Sequence, residues 1–173
     1  MMDRSTGRVW TTKASGDTEK SPKEPLSDYD REKPRVLVVH SMVSTGRLIR
    51  ESLENFTTAQ VDTPPDTVNG FELALQRRYH LFIFGLVLPH IDGPLLYELI
   101  CKTHPFCHGG SRIAPGVIFV RETDDPQVDE ELTRDARVKA ILTKPLGIER
   151  LLKSVEGTLE RRAPMGDREK EAE

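Results

Sequence analysis

The chain has 173 residues, 36% of them hydrophobic and 31% charged, which suits one ordinary domain with polar ends. Its 25 basic and 28 acidic residues give a net charge of −3, so it lacks the basic field on which nucleic-acid binding relies. The longest apolar stretch, 81–88, is too short to cross a bilayer, and residues 1–10 contain no apolar signal core. Two cysteines, Cys101 and Cys107, cannot make a disulfide framework. We therefore expect a soluble cytoplasmic protein with no nucleic-acid partner and no membrane insertion.

The two ends of the chain differ in composition from its middle. Residues 1–33 are rich in Ser, Thr, Lys, Asp and Pro and show neither a helical nor a strand period, so we predict a disordered arm. Residues 163–173 combine Pro, Gly and a charged run, which predicts a solvated tail. One domain over 34–162 remains, and we expect no DNA-binding or catalytic output domain beside it.

Four short runs in this domain are apolar at every position, which is typical of strands buried on both faces by helices. A weaker run would suit the edge of a sheet. In chain order the strands are predicted at 36–39, 59–63 (the weak one), 81–88, 117–120 and 140–142.

The segments between the strands carry signals for helix starts. Ser44 or Thr45 can cap the first helix, and Asp66 the second. The third begins near Pro94, and Asp125, followed by a proline, caps the fourth. The positions expected to face the sheet are Leu48, Ile49, Leu53 and Phe56; Val68, Phe71 and Leu75; Leu95, Leu96, Leu99 and Ile100; Val128 and Leu132; and, in a fifth helix, Ile148, Leu151, Leu152, Val155 and Leu159.

Strand and helix alternate five times, which predicts an α/β fold with a doubly wound parallel sheet. The expected strand order is 2-1-3-4-5, the flavodoxin-like arrangement. In such a sheet the chemistry lies at the carboxyl ends of the strands. The residues that directly follow or end the strands are His40, Ser41, Gly85, Arg121 and Lys144.

Three motifs point to one family. They are Leu-Val-Leu-Pro-His-Ile-Asp-Gly at 86–93, Val-Ile-Phe-Val followed by Thr-Asp-Asp-Pro at 117–126, and Leu-Thr-Lys-Pro-Leu at 142–146. In this order and spacing, over about residues 34–162, the chain resembles the receiver domains of bacterial response regulators.

The resemblance implies a phosphorylation pocket from which most of the chemistry has been lost. In typical receivers an acidic pair after the first strand and an aspartate ending the third bind Mg²⁺, and that aspartate accepts the phosphoryl group. A hydroxyl after the fourth strand and a lysine after the fifth hold the phosphoryl oxygens. The matching positions here are His40 and Ser41 for the acidic pair, Gly85 for the acceptor, Arg121 for the hydroxyl, Ile141 for the switch aromatic and Lys144 for the lysine. Only the lysine is kept, so we expect no catalysis, no bound Mg²⁺ and no other cofactor or metal.

Replacing carboxylates by cations leaves a pocket that needs a counter-charge. Three alternatives are open. The pocket is filled or solvated, with Lys144 as a relic of the fold; an internal acid pairs with the cations; or Lys144 and Arg121 bind an external anion. The candidate internal acids are Glu122, Asp92 and Asp124.

Two other sets of residues have less specific patterns. Cys101, His104, Cys107 and His108 are all zinc-ligand types, but their spacing matches no common structural site, so we interpret them as incidental. Asp92, the nearest carboxylate beyond Gly85, lies in an Ile-Asp-Gly turn, which favours a capping role over phosphate acceptance.

The leading hypothesis is a stand-alone atypical receiver of bacterial two-component signalling. It would bind a signalling protein without being phosphorylated, through the surface of the fourth helix, fifth strand and fifth helix. The alternatives are a phosphorelay receiver that uses an unorthodox acceptor residue, and an anion-binding sensor. The sequence does not indicate the oligomeric state.

Overall fold

The computed structural model describes residues 33–109 and 112–160. The predicted arm, apart from Lys33, and the predicted tail over 163–173 lie outside the described residues. The limits 34–162 of the domain therefore stay predictions.

Five strands alternate with five helices. In chain order they are β1 (Arg35–Val39), α1 (Val43–Phe56), β2 (Gln60–Asp62), α2 (Thr67–Gln76), β3 (Leu81–Gly85), α3 (Gly93–Cys107), β4 (Gly116–Arg121), α4 (Glu130–Arg134), β5 (Val138–Thr143) and α5 (Ile148–Val155). All strand pairs are parallel, and the strand order is β2-β1-β3-β4-β5. The predicted fold class and strand order are confirmed.

The sheet separates two apolar layers because successive side chains of a strand point to opposite faces. On one face, Val36, Ile83 and Ile118 pack with residues of α1 and α5. On the other, Phe82 and Phe119 pack with residues of α2 and α3. Both layers are buried, which explains why the central strands are apolar at every position.

Strand β3 ends at Gly85, three residues before the predicted end at 88. Leu86 and Leu88 are buried nonetheless, so the apolar run continues into a packed turn. In this turn the Leu86 amide donates to the Val120 carbonyl at 2.7 Å, and the Leu86 carbonyl accepts from the Gly93 amide at 2.9 Å. Hydrophobicity alone did not distinguish a strand residue from a buried turn residue.

Two helix starts agree with their sequence signals, and one differs. The Asp66 carboxylate caps α2 by accepting from the Asn69 amide at 2.8 Å, and Pro94 lies in the first turn of α3. Helix α1 begins at Val43, before the predicted caps Ser44 and Thr45, and has no side-chain cap.

The predicted start of the fourth helix is wrong. The Asp125 carboxylate accepts from the Glu122 amide at 2.7 Å and so closes a turn. Helix α4 begins only at Glu130, where Asp129 caps it by accepting from the Glu131 amide. It has five residues, none of them buried.

Several predicted core positions are wrong because they lie beside the buried face of their helix and no other described element covers them. Leu48, Phe56, Val68, Leu95 and Ile148 are all exposed. Helix α2 instead buries the small residues Thr67, Gly70 and Ala74, and α3 buries Tyr97 besides the expected Leu96 and Ile100. Leu159 is buried as expected, but it follows the end of α5.

Over the part of the chain that the structure describes, no helix is both long and apolar enough to span a membrane.

The end of β3 and the start of α3 approach each other closely at two glycines. A Cβ atom on Gly93 would lie 2.1 Å from the Gly85 carbonyl oxygen, whereas a Cβ on Gly46, within α1, would meet nothing within 4 Å. We expect Gly93→Ala to destabilise the fold by about 2–3 kcal/mol through overpacking. Gly46→Ala should stabilise it by about 0.5–1 kcal/mol, because alanine loses less backbone entropy in a helix.

Urea unfolding of the two alanine variants and the wild type measures both effects. Equal stability of Gly93→Ala and the wild type would contradict the close approach.

Candidate functional site

The residues singled out from the sequence lie at the carboxyl-terminal ends of the strands. Gly85 and Arg121 end β3 and β4, while His40 and Lys144 directly follow β1 and β5. The parallel register aligns these ends, with Gly85 opposite Val120. Ser41 lies at the same end of the sheet, exposed in the loop before α1.

The position that matches the acceptor has no free space beside it. Gly85 is buried, and a Cβ atom built on it would lie 3.0 Å from Leu88 Cδ2 and 3.4 Å from His40 Cδ2. Leu88 itself is 5% exposed. A side chain at this position therefore requires the Leu88 side chain to shift by a few tenths of an ångström, and its Cβ atom would be in van der Waals contact with the His40 ring.

His40 adds no positive charge to the pocket at neutral pH. Its Nδ1 accepts from the Met42 amide at 3.0 Å, which places the proton of the neutral ring on Nε2. Burial, reinforced by the charge of Lys144, lowers the pKa of His40 below its ordinary value of 6.5. Glu122 opposes this shift.

Lys144 is paired within the protein. Its Nζ donates to Glu122 Oε1 at 2.5 Å and also contacts Met42 Sδ at 3.4 Å. The side chain of Lys144 is 17% exposed and that of Glu122 is 41% exposed. Of the three alternatives for the pocket, internal pairing describes this contact, and Glu122 is the acid. The other two candidates, Asp92 and Asp124, are exposed.

Arg121 is engaged by the loop between β4 and α4 rather than by Lys144. Its Nη2 donates to the Asp125 carbonyl at 2.9 Å. Its Nε is buried and makes no hydrogen bond with any residue that the structure describes. The sequence did not indicate this role of Asp125, which also binds the Glu122 amide through its carboxylate.

Ile141, at the position of the switch aromatic, is half-buried and packs against the apolar layer on the α2 and α3 side of the sheet. It lies opposite Phe119 in the β4–β5 register. It therefore forms part of the core.

The cysteine and histidine segment is organised by packing. His104 and His108 are both buried, and their ring centroids are 4.7 Å apart. His108 Nε2 lies 2.8 Å from the Ala74 carbonyl oxygen. Cys107 is exposed and Cys101 is half-buried. Within 33–109 and 112–160, no three ligand-type side chains converge on one point.

The titration of His40 measures the charges around it. We expect Lys144→Met to raise the His40 pKa, because it removes a cation that disfavours the imidazolium. Glu122→Gln should lower this pKa, because it removes an anion that favours the imidazolium. NMR titration of the imidazole signals measures both changes.

His104 provides the internal control, since its lowered pKa arises from burial, His108 and Arg78. Its midpoint should be the same in both variants. A His40 midpoint that moves in neither variant would contradict the placement of Lys144 and Glu122 beside this ring.

Comparison with known proteins relates these features to one fold. No family model matches the chain. It is 25% identical over 127 residues to the probable chemotaxis protein CheY of Rhizobium etli, covering 72% of this chain and 92% of that protein. Among solved structures, the receiver domain of AraT from Geobacillus stearothermophilus is 24% identical, with a TM-score of 0.58, over 72% of this chain and 91% of that one.

Two further solved structures agree. The receiver domain of a LuxO repressor protein from Vibrio parahaemolyticus matches with a TM-score of 0.59 and 20% identity, over 71% of this chain and 87% of that chain. The chemotaxis response regulator CheY4 of Vibrio cholerae matches with a TM-score of 0.58 and 18% identity, over 73% and 99%. The chain therefore has the CheY-like fold of response-regulator receiver domains.

Proposed function

We propose that the chain is a receiver-type module of two-component signalling that binds a partner protein without being phosphorylated. The observation that carries the proposal is the packing at Gly85, where the Leu88 side chain and the His40 ring lie within contact distance of the position of a Cβ atom. The receiver fold is kept, whereas the position that matches its reactive carboxylate has no side chain.

The chemistry at the strand ends supports the absence of phosphotransfer. A Mg²⁺ ion in a receiver needs hard anionic oxygen ligands, and His40, Ser41 and Gly85 supply no carboxylate. The lysine that would neutralise a phosphoryl group, Lys144, is already paired with Glu122. A phosphoryl group would have to break this pair before it could use the lysine.

A module without a charge switch binds its partner in one conformation. The partner surface implied by the receiver resemblance comprises α4, β5 and α5. Strand β5 is the edge strand of the sheet and carries the exposed Lys139 and Thr143. Polar edge residues of this kind are compatible with a surface that contacts other proteins selectively.

Phosphorylation is tested directly with acetyl phosphate and Mg²⁺, followed by intact-mass analysis. We expect neither the wild-type chain nor Gly85→Asp to gain a phosphoryl group. The new carboxylate would lack the other metal ligands and would enter a position where Leu88 already lies within 3.0 Å of the Cβ atom. A receiver with an intact acceptor aspartate is the positive control.

A phosphoryl group on the wild-type chain would favour the alternative of an unorthodox acceptor. Modification of Gly85→Asp alone would mean that the other positions of the pocket still support the chemistry.

The anion-binding sensor has one observation in its favour, the buried Arg121 Nε without a hydrogen-bond partner. Because Arg121 contacts the Asp125 carbonyl and Lys144 contacts Glu122, we expect inorganic phosphate to leave the melting temperature of the chain unchanged. Thermal unfolding across a phosphate series, with chloride at matched ionic strength, measures this. Stabilisation by phosphate that is lost in Lys144→Ala would support the sensor and contradict the docking module.

A further inference from the structure

An apolar groove lies between the start of α3 and the loop that leads into α4. Its volume is about 610 Å³. The apolar side chains that line it are Leu86, Val87, Leu95, Val128 and Leu132, together with Pro94 and Pro126. Val87 is 45% exposed and Leu95 is 49% exposed, so part of this lining is in contact with solvent.

The groove is open because the connection from β4 to β5 contains little helix. Helix α4 has five residues and buries none of them. The eight residues that precede it form a loop, which is held by the Asp125 contacts to Glu122 and Arg121. Beside this loop, Val87 and Leu95 stay exposed.

The charged residues around the groove are almost all acidic. Five carboxylates line it, those of Asp92, Glu98, Asp129, Glu131 and Asp135, against one cation, Arg137. Arg137 pairs with Asp135 at 2.6 Å, and Glu98 pairs with Lys102 at 2.7 Å. Among the described residues, Asp92, Asp129 and Glu131 have no cation within ion-pair distance, so the rim carries an uncompensated negative charge.

The other grooves do not have this combination of apolar lining and one sign of charge. In the groove beside His40, the two cations Arg47 and Arg50 are each paired with a glutamate one helical turn away. The groove between Phe56 and α5 is lined by residues of both signs. Of these three grooves, all lined by described residues, the one between α3 and α4 has a charge that specifies the chemistry of an occupant.

We propose that this groove binds a segment of a partner protein that carries apolar side chains flanked by lysine or arginine. The apolar side chains lose water against Leu95, Val87 and Val128. The flanking cations meet Asp92, Asp129 and Glu131, which also oppose acidic segments. This inference rests on the proposed docking function and adds to it a surface and a partner chemistry.

The test starts from a random-peptide library displayed against the immobilised full chain. We expect enrichment of peptides that combine aliphatic or aromatic residues with lysine or arginine. A synthetic peptide of the enriched sequence, labelled with a fluorophore, is then titrated by fluorescence anisotropy against the wild type and four variants.

The variants form matched pairs. Leu95→Asp changes the groove, and Leu48→Asp makes the same change at a similarly exposed leucine of α1, 42% exposed. Asp92→Asn with Glu131→Gln neutralises the rim, and Glu51→Gln with Glu72→Gln neutralises two exposed acids of α1 and α2. We expect the groove variants to weaken binding by about tenfold or more, the control variants to bind like the wild type, and added salt to weaken binding less in the rim variant.

The proposal is overturned by enrichment of acidic or uncharged peptides, by no enrichment, or by equal binding to groove and control variants. Thermal unfolding confirms that each variant is folded. The two proposals fail separately. Phosphorylation of the wild type by acetyl phosphate would contradict the proposed function without changing the peptide titration. Peptides that bind the groove variants as tightly as the wild type would contradict only the proposal about the groove.

Discussion

The close approach of Gly85 and Gly93 is the constraint on which the pocket and the groove both depend. The chain leaves β3 at Gly85, turns through residues 86–92 and returns so that Gly93 begins α3 against the Gly85 carbonyl. This return is possible because Gly93 has no Cβ atom, which would otherwise collide with the Gly85 carbonyl. It places Leu88 beside Gly85 and directs Asp92 and Leu95 toward the groove. The turn that fills the acceptor position therefore also forms one wall of the groove.

The second wall of the groove is the loop that leads into α4, and this loop also contacts the cations of the pocket. Two cations at the strand ends, Lys144 and Arg121, both contact the loop after β4, which supplies the Glu122 carboxylate and the Asp125 carbonyl. Asp125 also accepts from the Glu122 amide, so this part of the chain is used in a turn and cannot be helical. Helix α4 accordingly begins at Glu130. The loop that contacts the pocket cations thus also leads into α4 and forms the second wall of the groove.

The elements that could be predicted from the sequence are those that depend on residues close together in the chain. The buried central strands are apolar throughout, and Asp66 caps α2 through an amide only three residues away. The start of α4 was predicted wrongly because Asp125 and Asp129 are both good caps in isolation, and the sequence does not show that Asp125 accepts from the preceding Glu122 amide instead of capping a helix. Val68 and Leu95 were misplaced because an apolar side chain on a helix does not reveal whether another element covers it. Gly85 was matched to the acceptor position through the motif at 86–93, whereas its contact with Leu88 depends on the path of the turn, which the motif does not give.

The pocket differs from that of a typical receiver in two features, the Lys144–Glu122 pair and the lack of a carboxylate at position 85. They differ in how easily they can be reversed. The Lys144–Glu122 pair includes a carboxylate that is 41% exposed, and pairs of this kind contribute about 0–1 kcal/mol because water screens them. A competing anion of sufficient affinity could displace Glu122 at this small cost. A carboxylate at position 85 faces a different barrier, since Leu88 and His40 are held there by core packing and by the Met42 amide. Overpacking of a core costs about 1–3 kcal/mol, and the new carboxylate would still lack the ligands of a metal ion. The proposed lack of phosphotransfer would therefore depend mainly on the missing carboxylates, and only secondarily on the pairing of Lys144 with Glu122.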